Sequence, residues 1–449
     1  MSNSINRRSF LSQTAIAGTG LMIVPRHVLG GKGYVAPSDK LNIASVGAGG
    51  MAAGNISRVD HENIVALCDV DDNRAANTYK KYPKAKRYKD FRVMLEKEKS
   101  IDAVIVATPD HTHAVAAMAA IKRGKHVYVQ KPLTHTVAEA RALTEAAREY
   151  KVITQMGNQG RSGEGTRRLA EWLWAGAIGD VTEVHSWTNR PVWPQGIDRP
   201  KETPPVPDTL DWNLWLSTAP ERPYHPTYLP FNWRAWFDFG CGALGDMGCH
   251  ILDPVYHALK VKYPLWVQGS FSYEVPTMWK RWQNNETYPN ASMITYRFPA
   301  RENMPPVTLT WYDGGILPVW PAELEGVDIP MDGGSMFIGS KGMLICSTYG
   351  GDVKMFPEER YLEFKDIPKT LPRVHTTHEQ NWLDGIKNNT QPCSNFDYSG
   401  PLSEMVLMGN LAIRVPGKRL IWDGDGMQVT NVPDANRFVK TEYRSGWHL

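Results

Sequence analysis

The chain has 449 residues, with 50 Lys and Arg against 47 Asp and Glu, for a formal charge of +3. So small a surplus, with no basic cluster interleaved with exposed aromatics, argues against a nucleic-acid partner. Five scattered cysteines (68, 241, 249, 346 and 393) do not form a disulfide framework, although a Cys241–Cys249 bond stays open.

The amino terminus reads "MSNSINRRSFLSQTAIAGTGLMIVPRHVLGG". Arg7 and Arg8 precede a modest apolar stretch from Ala15 to Val24, about half of the ~20 residues that a membrane-spanning helix needs. Charge, apolar middle and small residues follow in the order of a secretory signal. The paired arginines make it resemble a twin-arginine signal. The expectation is export to the periplasm, with the twin-arginine machinery as a partner; a disordered basic tail is the alternative. No clean Ala-x-Ala site follows, which leaves the cleavage point open. Residues 1–35 are therefore set aside as signal and linker, and the remaining length suits two domains.

From Leu41 a short apolar strand runs into Gly47, Gly49 and Ala52. This is G-x-G-x-x-A between a strand and a helix, where glycines permit a tight turn and close approach of backbone to a pyrophosphate. A second strand, "NIVALCDVDD", ends in Asp69, twenty positions beyond Gly49. A carboxylate there bonds both ribose hydroxyls and repels a 2′-phosphate, favouring NAD over NADP. The alternative is that Asp69 caps the helix holding Arg74. The third strand, "DAVIVATPDHTHA", ends at Thr108 and Pro109; the fourth, "GKHVYVQKP", meets Lys131 and Pro132, and a helix follows each. Continuous apolar strands alternating with helices predict a doubly wound parallel sheet over residues 40–160.

"GAGGMA", the strand-end Asp69, "ATPDHTHA", "QKPLTHTVAEA" and "MGNQGR" together resemble the glucose-fructose oxidoreductase, inositol dehydrogenase and rhizopine-catabolism family, Gfo/Idh/MocA. The resemblance implies NAD held by Gly47, Gly49, Gly50, Met51, Asp69, Thr108, Pro109, His113, Gln130, Lys131 and Gln159. It also implies an active-site lysine at Lys131 and a proline, commonly cis, at Pro132. The family's usual Glu-Lys-Pro is here Gln130-Lys131-Pro132, which removes a negative charge beside the cofactor.

Beyond residue 160 the pattern changes. Strand-like runs such as "VTEVHSWT", "LWVQGSFSYEV", "ASMITYRF", "VTLTWYD", "SMFIGSKGMLIC" and "DVKMF" predict one large, open, mostly antiparallel sheet within an α+β domain over residues 161–400. A helix and an irregular tail are expected over 401–449. Thirteen of the 16 tryptophans fall between Trp172 and Trp320. Indoles stack on sugar rings and donate to hydroxyls, so Trp187, Trp193 and Trp236, with Arg161, are the substrate candidates; core packing accounts for most of the others. The resemblance places such a sheet over the nicotinamide and implies a homo-oligomer through its outer face.

In "FGCGALGDMGCHILDPVYHAL", Asp246 and His250 stand at i and i+4 on one predicted helical face. The Lys…Asp-x-x-x-His trio of the family falls on Lys131, Asp246 and His250. Histidine suits a base near neutrality, and an ammonium stabilises a developing alkoxide. His250 also counts as a substrate contact. His111, His113, His250 and Cys249 lack a recognised ligand spacing, so no metal is expected. Three readings follow: an NAD-dependent oxidoreductase acting on a secondary hydroxyl of a sugar, glycoside or polyol with a tightly held cofactor; a redox-neutral glycosidase working by oxidation, elimination, addition and reduction; and a non-catalytic sugar-responsive binding protein.

Overall fold

A computed structural model of the protein describes residues 39–449 apart from residue 283, so the Arg7-Arg8 segment lies outside the described residues. Residues 42–449 form one unit. It begins with β1 (Asn42–Val46), α1 (Met51–Arg58), β2 (Asn63–Cys68), α2 (Asp72–Lys81), β3 (Lys86–Tyr88), α3 (Phe91–Lys97), β4 (Ala103–Val106), α4 (Asp110–Ile121), β5 (His126–Val129), α5 (Val137–Tyr150) and β6 (Thr154–Met156). The strands are all parallel, in the order β3-β2-β1-β4-β5-β6. β4 reads AVIV with all four residues buried, as a strand covered by helices on both faces should be. Strand order reverses between β1 and β4, which opens a crevice at the carboxyl ends of the strands. The start of α5 is fixed locally: Thr136 accepts from the Glu139 amide, and the Glu139 carboxylate accepts from the Thr136 amide, a capping box.

After α6 (Glu164–Trp174) come β7 (Val181–Thr188), α7 (Trp212–Leu216), α8 (Gly242–Ile251), α9 (Asp253–Ala258) and β8 (Trp266–Phe271). A hairpin of β9 (Glu274–Thr277) and β10 (Lys280–Trp282) stands apart. Then follow β11 (Ser292–Phe298), β12 (Val307–Tyr312), β13 (Gly333–Gly339), β14 (Gly342–Ser347), β15 (Lys354–Phe356), α10 (Glu358–Phe364), α11 (His378–Asn388), α12 (Phe396–Arg414), β16 (Arg419–Asp423) and β17 (Gln428–Val429). The second sheet has nine strands in the order β15-β14-β13-β7-β12-β11-β8-β16-β17. Among the described residues its one parallel pair is β7 with β12. Along β11, Ile294, Tyr296 and Phe298 are buried while Met293, Thr295 and Arg297 are not. That period of two is what turns one face inward.

The inward face shares a single hydrophobic core with α12 and the parallel sheet, from Val46 and Val106 through Leu402 and Met408 to Leu309 and Phe337. The expected irregular tail is corrected here: β16 and β17 extend the sheet beyond β8. RLIWD is five residues long with alternating burial, too short to stand out until β8 pairs with it. All five cysteines are free.

Candidate functional site

The glycine turn sits at the crevice. Gly47 has φ +90°, and a Cβ there would lie 2.5 Å from the Ala107 carbonyl oxygen; one on Gly49 would lie 2.6 Å from Arg74 Cγ. Only bare backbone fits, and this leaves room for a close phosphate approach. The N-cap position of α1, Gly50, supplies no side-chain cap; the Ala52 amide turns back to the Gly49 carbonyl at 3.1 Å, and the rest of the helix terminus faces an anion. Asp69 directly follows β2, with Oδ2 accepting from the Ala48 amide at 2.8 Å and the Gly49 amide at 3.2 Å. Burial pushes its carboxyl up, against those backbone bonds. The cap of α2 is Asp71, which accepts from Asn73 and Arg74; the capping alternative for Asp69 is thereby removed.

A cavity of about 340 Å³ runs along these strand ends, lined by Gly47, Gly49, Gly50, Met51, Asp69, Thr108, Pro109, His113, Gln130 and Lys131. Of the expected cofactor contacts, Gln159 alone stands outside, exposed on a 3-10 turn. The residues present fit a dinucleotide: bare backbone and a free helix terminus for the pyrophosphate, a carboxylate for the ribose.

Gln130 finds its reason in a buried network. Its Nε2 donates to Asn55 Oδ1 at 2.8 Å, and Asn55 Nδ2 donates to Glu379 Oε1 at 2.7 Å. A glutamate at this position would face that amide oxygen with a second acceptor.

Lys131 leaves β5 into the cleft, and its Nζ lies 2.8 Å from Asp246 Oδ1 and 2.6 Å from the Asp246 carbonyl. Burial works to raise the Asp246 carboxyl, yet Lys131 and Arg234 together hold it well below the usual carboxylate range. Arg234 Nε reaches the same Oδ1 at 3.0 Å, and Arg190 Nε stands 3.7 Å from Oδ2. One turn on, His250 is 4% exposed, and its Nδ1 has no hydrogen-bond partner. The Tyr349 ring meets it edge-on at 5.0 Å. Burial first, then the Lys131 charge, pushes the imidazole down to about 3, so the ring is neutral at pH 7. Asp110 opens α4 inside the cleft, where burial lifts it to about 7 against the pull of Arg234 and Lys131.

The substrate candidates need correction. Trp187 is fully buried against Trp320 with its indole N–H donated to the Pro330 carbonyl at 2.8 Å. Arg161 lies over the Tyr398 ring and donates to the Cys393 carbonyl. Trp236 is fully buried beside Tyr228. None of the three lines the cavity, and neither do Asp246 and His250, which stand behind Lys131. Trp193 comes nearest, packed on Phe231, which does line it.

These aromatics build a small core of their own: Trp193, Trp215, Tyr228, Trp233, Trp236 and Phe239. It supports a strap over the cofactor cleft. The Asp72 amide donates to the Thr209 carbonyl at 3.0 Å, the Asp211 amide to Val70 at 2.9 Å, and Lys89 Nζ to Thr209 at 2.8 Å. Composition suggested a sugar platform; burial makes most of these rings the body of a lid. Arg190, Arg234 and Asp110 were missed by the sequence reading. The one signal for Arg234 was an arginine set among Phe231, Trp233 and Trp236, just before a glycine-loosened helix. Among the described residues no His/Cys/Asp/Glu group is arranged to hold a metal.

Fold and site define a protein with two sheets on one core that binds a dinucleotide at the carboxyl ends of the parallel strands, beneath a lid built between β7 and α8. Residues 41–158 match the Gfo/Idh/MocA oxidoreductase family's NAD-binding Rossmann fold, and residues 176–272 its C-terminal alpha/beta domain. Both matched regions are thus domains of this family's type, and the amino-terminal one binds NAD. The inositol 2-dehydrogenase of Salmonella typhimurium is 30% identical over 151 residues, 32% of this chain and 45% of that protein. The levoglucosan dehydrogenase of Pseudarthrobacter phenanthrenivorans is 24% identical over 42% of this chain and 40% of its own length. The chain thus spans less than half the length of these curated relatives. The aldose-aldose oxidoreductase of Caulobacter crescentus, solved with glycerol, shares the fold at 18% identity and a TM-score of 0.55, over 85% of this chain and all of that one.

Proposed function

We propose that this protein is an NAD-dependent oxidoreductase acting on a secondary hydroxyl of a sugar, glycoside or polyol. One observation carries the reading: Lys131 lines the cofactor cleft while its ammonium is paired at 2.8 Å with Asp246, one helical turn from an unpartnered, neutral His250. Bound NAD⁺ supplies the acceptor for the hydride that leaves the substrate carbon. The protein handles the proton. Lys131 stabilises the developing alkoxide by its charge. We assign the hydroxyl proton to His250, which stands one helical turn from Asp246 behind the cavity wall and has an Nδ1 without a hydrogen-bond partner. Asp246 fixes the ammonium and, through its negative charge, favours the imidazolium that forms.

The strap hydrogen-bonded over Val70 and Asp72 supports a cofactor that is retained between turnovers. The Arg7-Arg8 segment supports export of the folded, loaded protein to the periplasm, where free NAD is scarce. The test is purification of the native protein followed by absorbance at 340 nm with a panel of sugars. Reduction of nicotinamide, lost in His250→Ala while NAD still binds by titration calorimetry, is expected. Absence of both bound nicotinamide and NAD binding would overturn the reading, and so would full activity in His250→Ala.

A further inference from the structure

Asp246 is one carboxylate facing three cations. Lys131 comes from the end of β5, Arg190 from just beyond β7, and Arg234 from the lid, with N···O distances of 2.8, 3.7 and 3.0 Å. Their side chains are 12%, 30% and 19% exposed, and that of Asp246 is 9% exposed. Among the described residues none of the three cations forms an ion pair with any other acid. His250 beside them carries no charge at neutral pH. Even with Asp110 ionised, at least one positive charge in this half-buried cluster is left over. A surplus of positive charge in a partly buried cluster attracts an anion.

The geometry of the guanidiniums says what kind. Arg234 is clamped between the Phe231 and Trp233 rings, each 4.1 Å from its Cζ, which holds the planar fork in one orientation. Arg190 donates one Nη1 bond to Asn189 Oδ1 at 2.7 Å and remains partly exposed. Its long contact with Asp246 leaves donors free for a second acceptor. Planar forks of this sort suit carboxylates and phosphates. With Asp110 ionised the surplus is one charge, which a monoanion balances.

We propose that the substrate is a sugar acid, a uronic or aldonic acid whose carboxylate is taken by Arg190 and Arg234 while a secondary hydroxyl meets Lys131. This rests on the oxidoreductase reading for turnover but not for binding. It also assigns Arg190 and Arg234 as the specificity-determining residues.

The experiment uses the full-length protein with its cofactor and compares D-glucuronate, D-galacturonate and D-gluconate with D-glucose, D-galactose, myo-inositol and glucose 6-phosphate. Nicotinamide reduction and calorimetric binding are measured in parallel. Acids are expected to exceed their neutral counterparts by 30-fold or more in the second-order rate constant for a single reduction of the bound nicotinamide, and the advantage should shrink with added salt. Arg190→Gln should raise KM for the acid 30-fold or more and collapse the acid-over-neutral preference, and Arg190→Lys should restore only part of it. Because Arg190 is 30% exposed and its contact with Asp246 is long, that variant should melt within a few degrees of the parent.

Acids that bind without any nicotinamide reduction would keep the substrate class and sink the oxidoreductase reading. Neutral sugars reduced as well as the acids would sink the class and keep the reading. A preference for glucose 6-phosphate over every carboxylate would overturn the choice of carboxylate, and binding of no acid at all would overturn the proposal.

Discussion

Gln130→Glu probes the buried amide chain behind the cleft. Gln130, Asn55 and Glu379 are 8%, 1% and 3% exposed, so water does not rescue a lost bond. In the substituted protein a carboxylate faces Asn55 Oδ1. If the Asn55 amide turns over to meet it, Asn55 Oδ1 is left facing Glu379 Oε1, which keeps only Arg58 Nη1 at 2.9 Å as donor. One buried acceptor is stranded either way, at a cost of about 1–3 kcal/mol. The added carboxylate has no cation of its own, which brings the expected loss to about 3 kcal/mol. Glu379→Gln should rescue it, because a turned Asn55 then donates to the new carboxylate and accepts from the new amide. The rescue sacrifices the Arg58–Glu379 ion pair, in which Arg58 is 52% exposed and which is therefore worth about 1 kcal/mol or less. Urea unfolding of the parent, both single variants and the double variant at pH 7 should give a coupling of about 2 kcal/mol. Additivity of the two single changes within about 0.5 kcal/mol would refute the network as described.

Asp246→Asn should cost about 1–3 kcal/mol in urea unfolding, since it leaves Lys131 and Arg234 without their acid partner in a partly buried site. The folded carboxyl is depressed, so its contribution is complete above the unfolded value of about 3.9 and lost as pH falls below that towards the folded value. The Asp246 share of the gap should therefore hold from about pH 8 to 5 and narrow only under about pH 4, with a smaller step near pH 7 where Asp110 ionises in the parent; a gap that closes by about pH 6 would contradict the assignment. Gly47→Ala forces a Cβ to within 2.5 Å of the Ala107 carbonyl at φ +90°. A loss of about 1–3 kcal/mol and at least tenfold weaker NAD binding by calorimetry are expected. Trp187→Phe should lower the melting temperature, because the Pro330 acceptor loses its donor, while kcat and KM stay at parental values. A changed KM would return Trp187 to the substrate site.

The amino-terminal domain was legible because its signals are local. A glycine turn after an apolar strand, a strand-end acid twenty residues on, and continuous apolar strands each carry their meaning within a few residues. β3, with its KRY sequence and two exposed residues, carried none, and pairing with β2 alone makes it a strand. Asp246 and His250 were legible as a helical pair for the same reason, since i and i+4 spacing needs no tertiary knowledge.

The rest was decided in three dimensions. Trp187 and Trp236 read as sugar platforms from composition, yet burial depends on what the fold lays over them, and both have no exposed surface. Gln130 looked like a lapse from the family pattern until Asn55 and Glu379 arrived from segments 75 and some 250 residues away. Arg190 and Arg234 had no meaning before β7 and the lid brought both to Asp246. By itself the sequence determined where a dinucleotide lies and which helix bears the carboxylate and imidazole, because backbone geometry follows from neighbours in the chain. Tertiary structure alone decided which charges share that carboxylate, because charge pairing is set by distance in space and the partners are scattered along the chain.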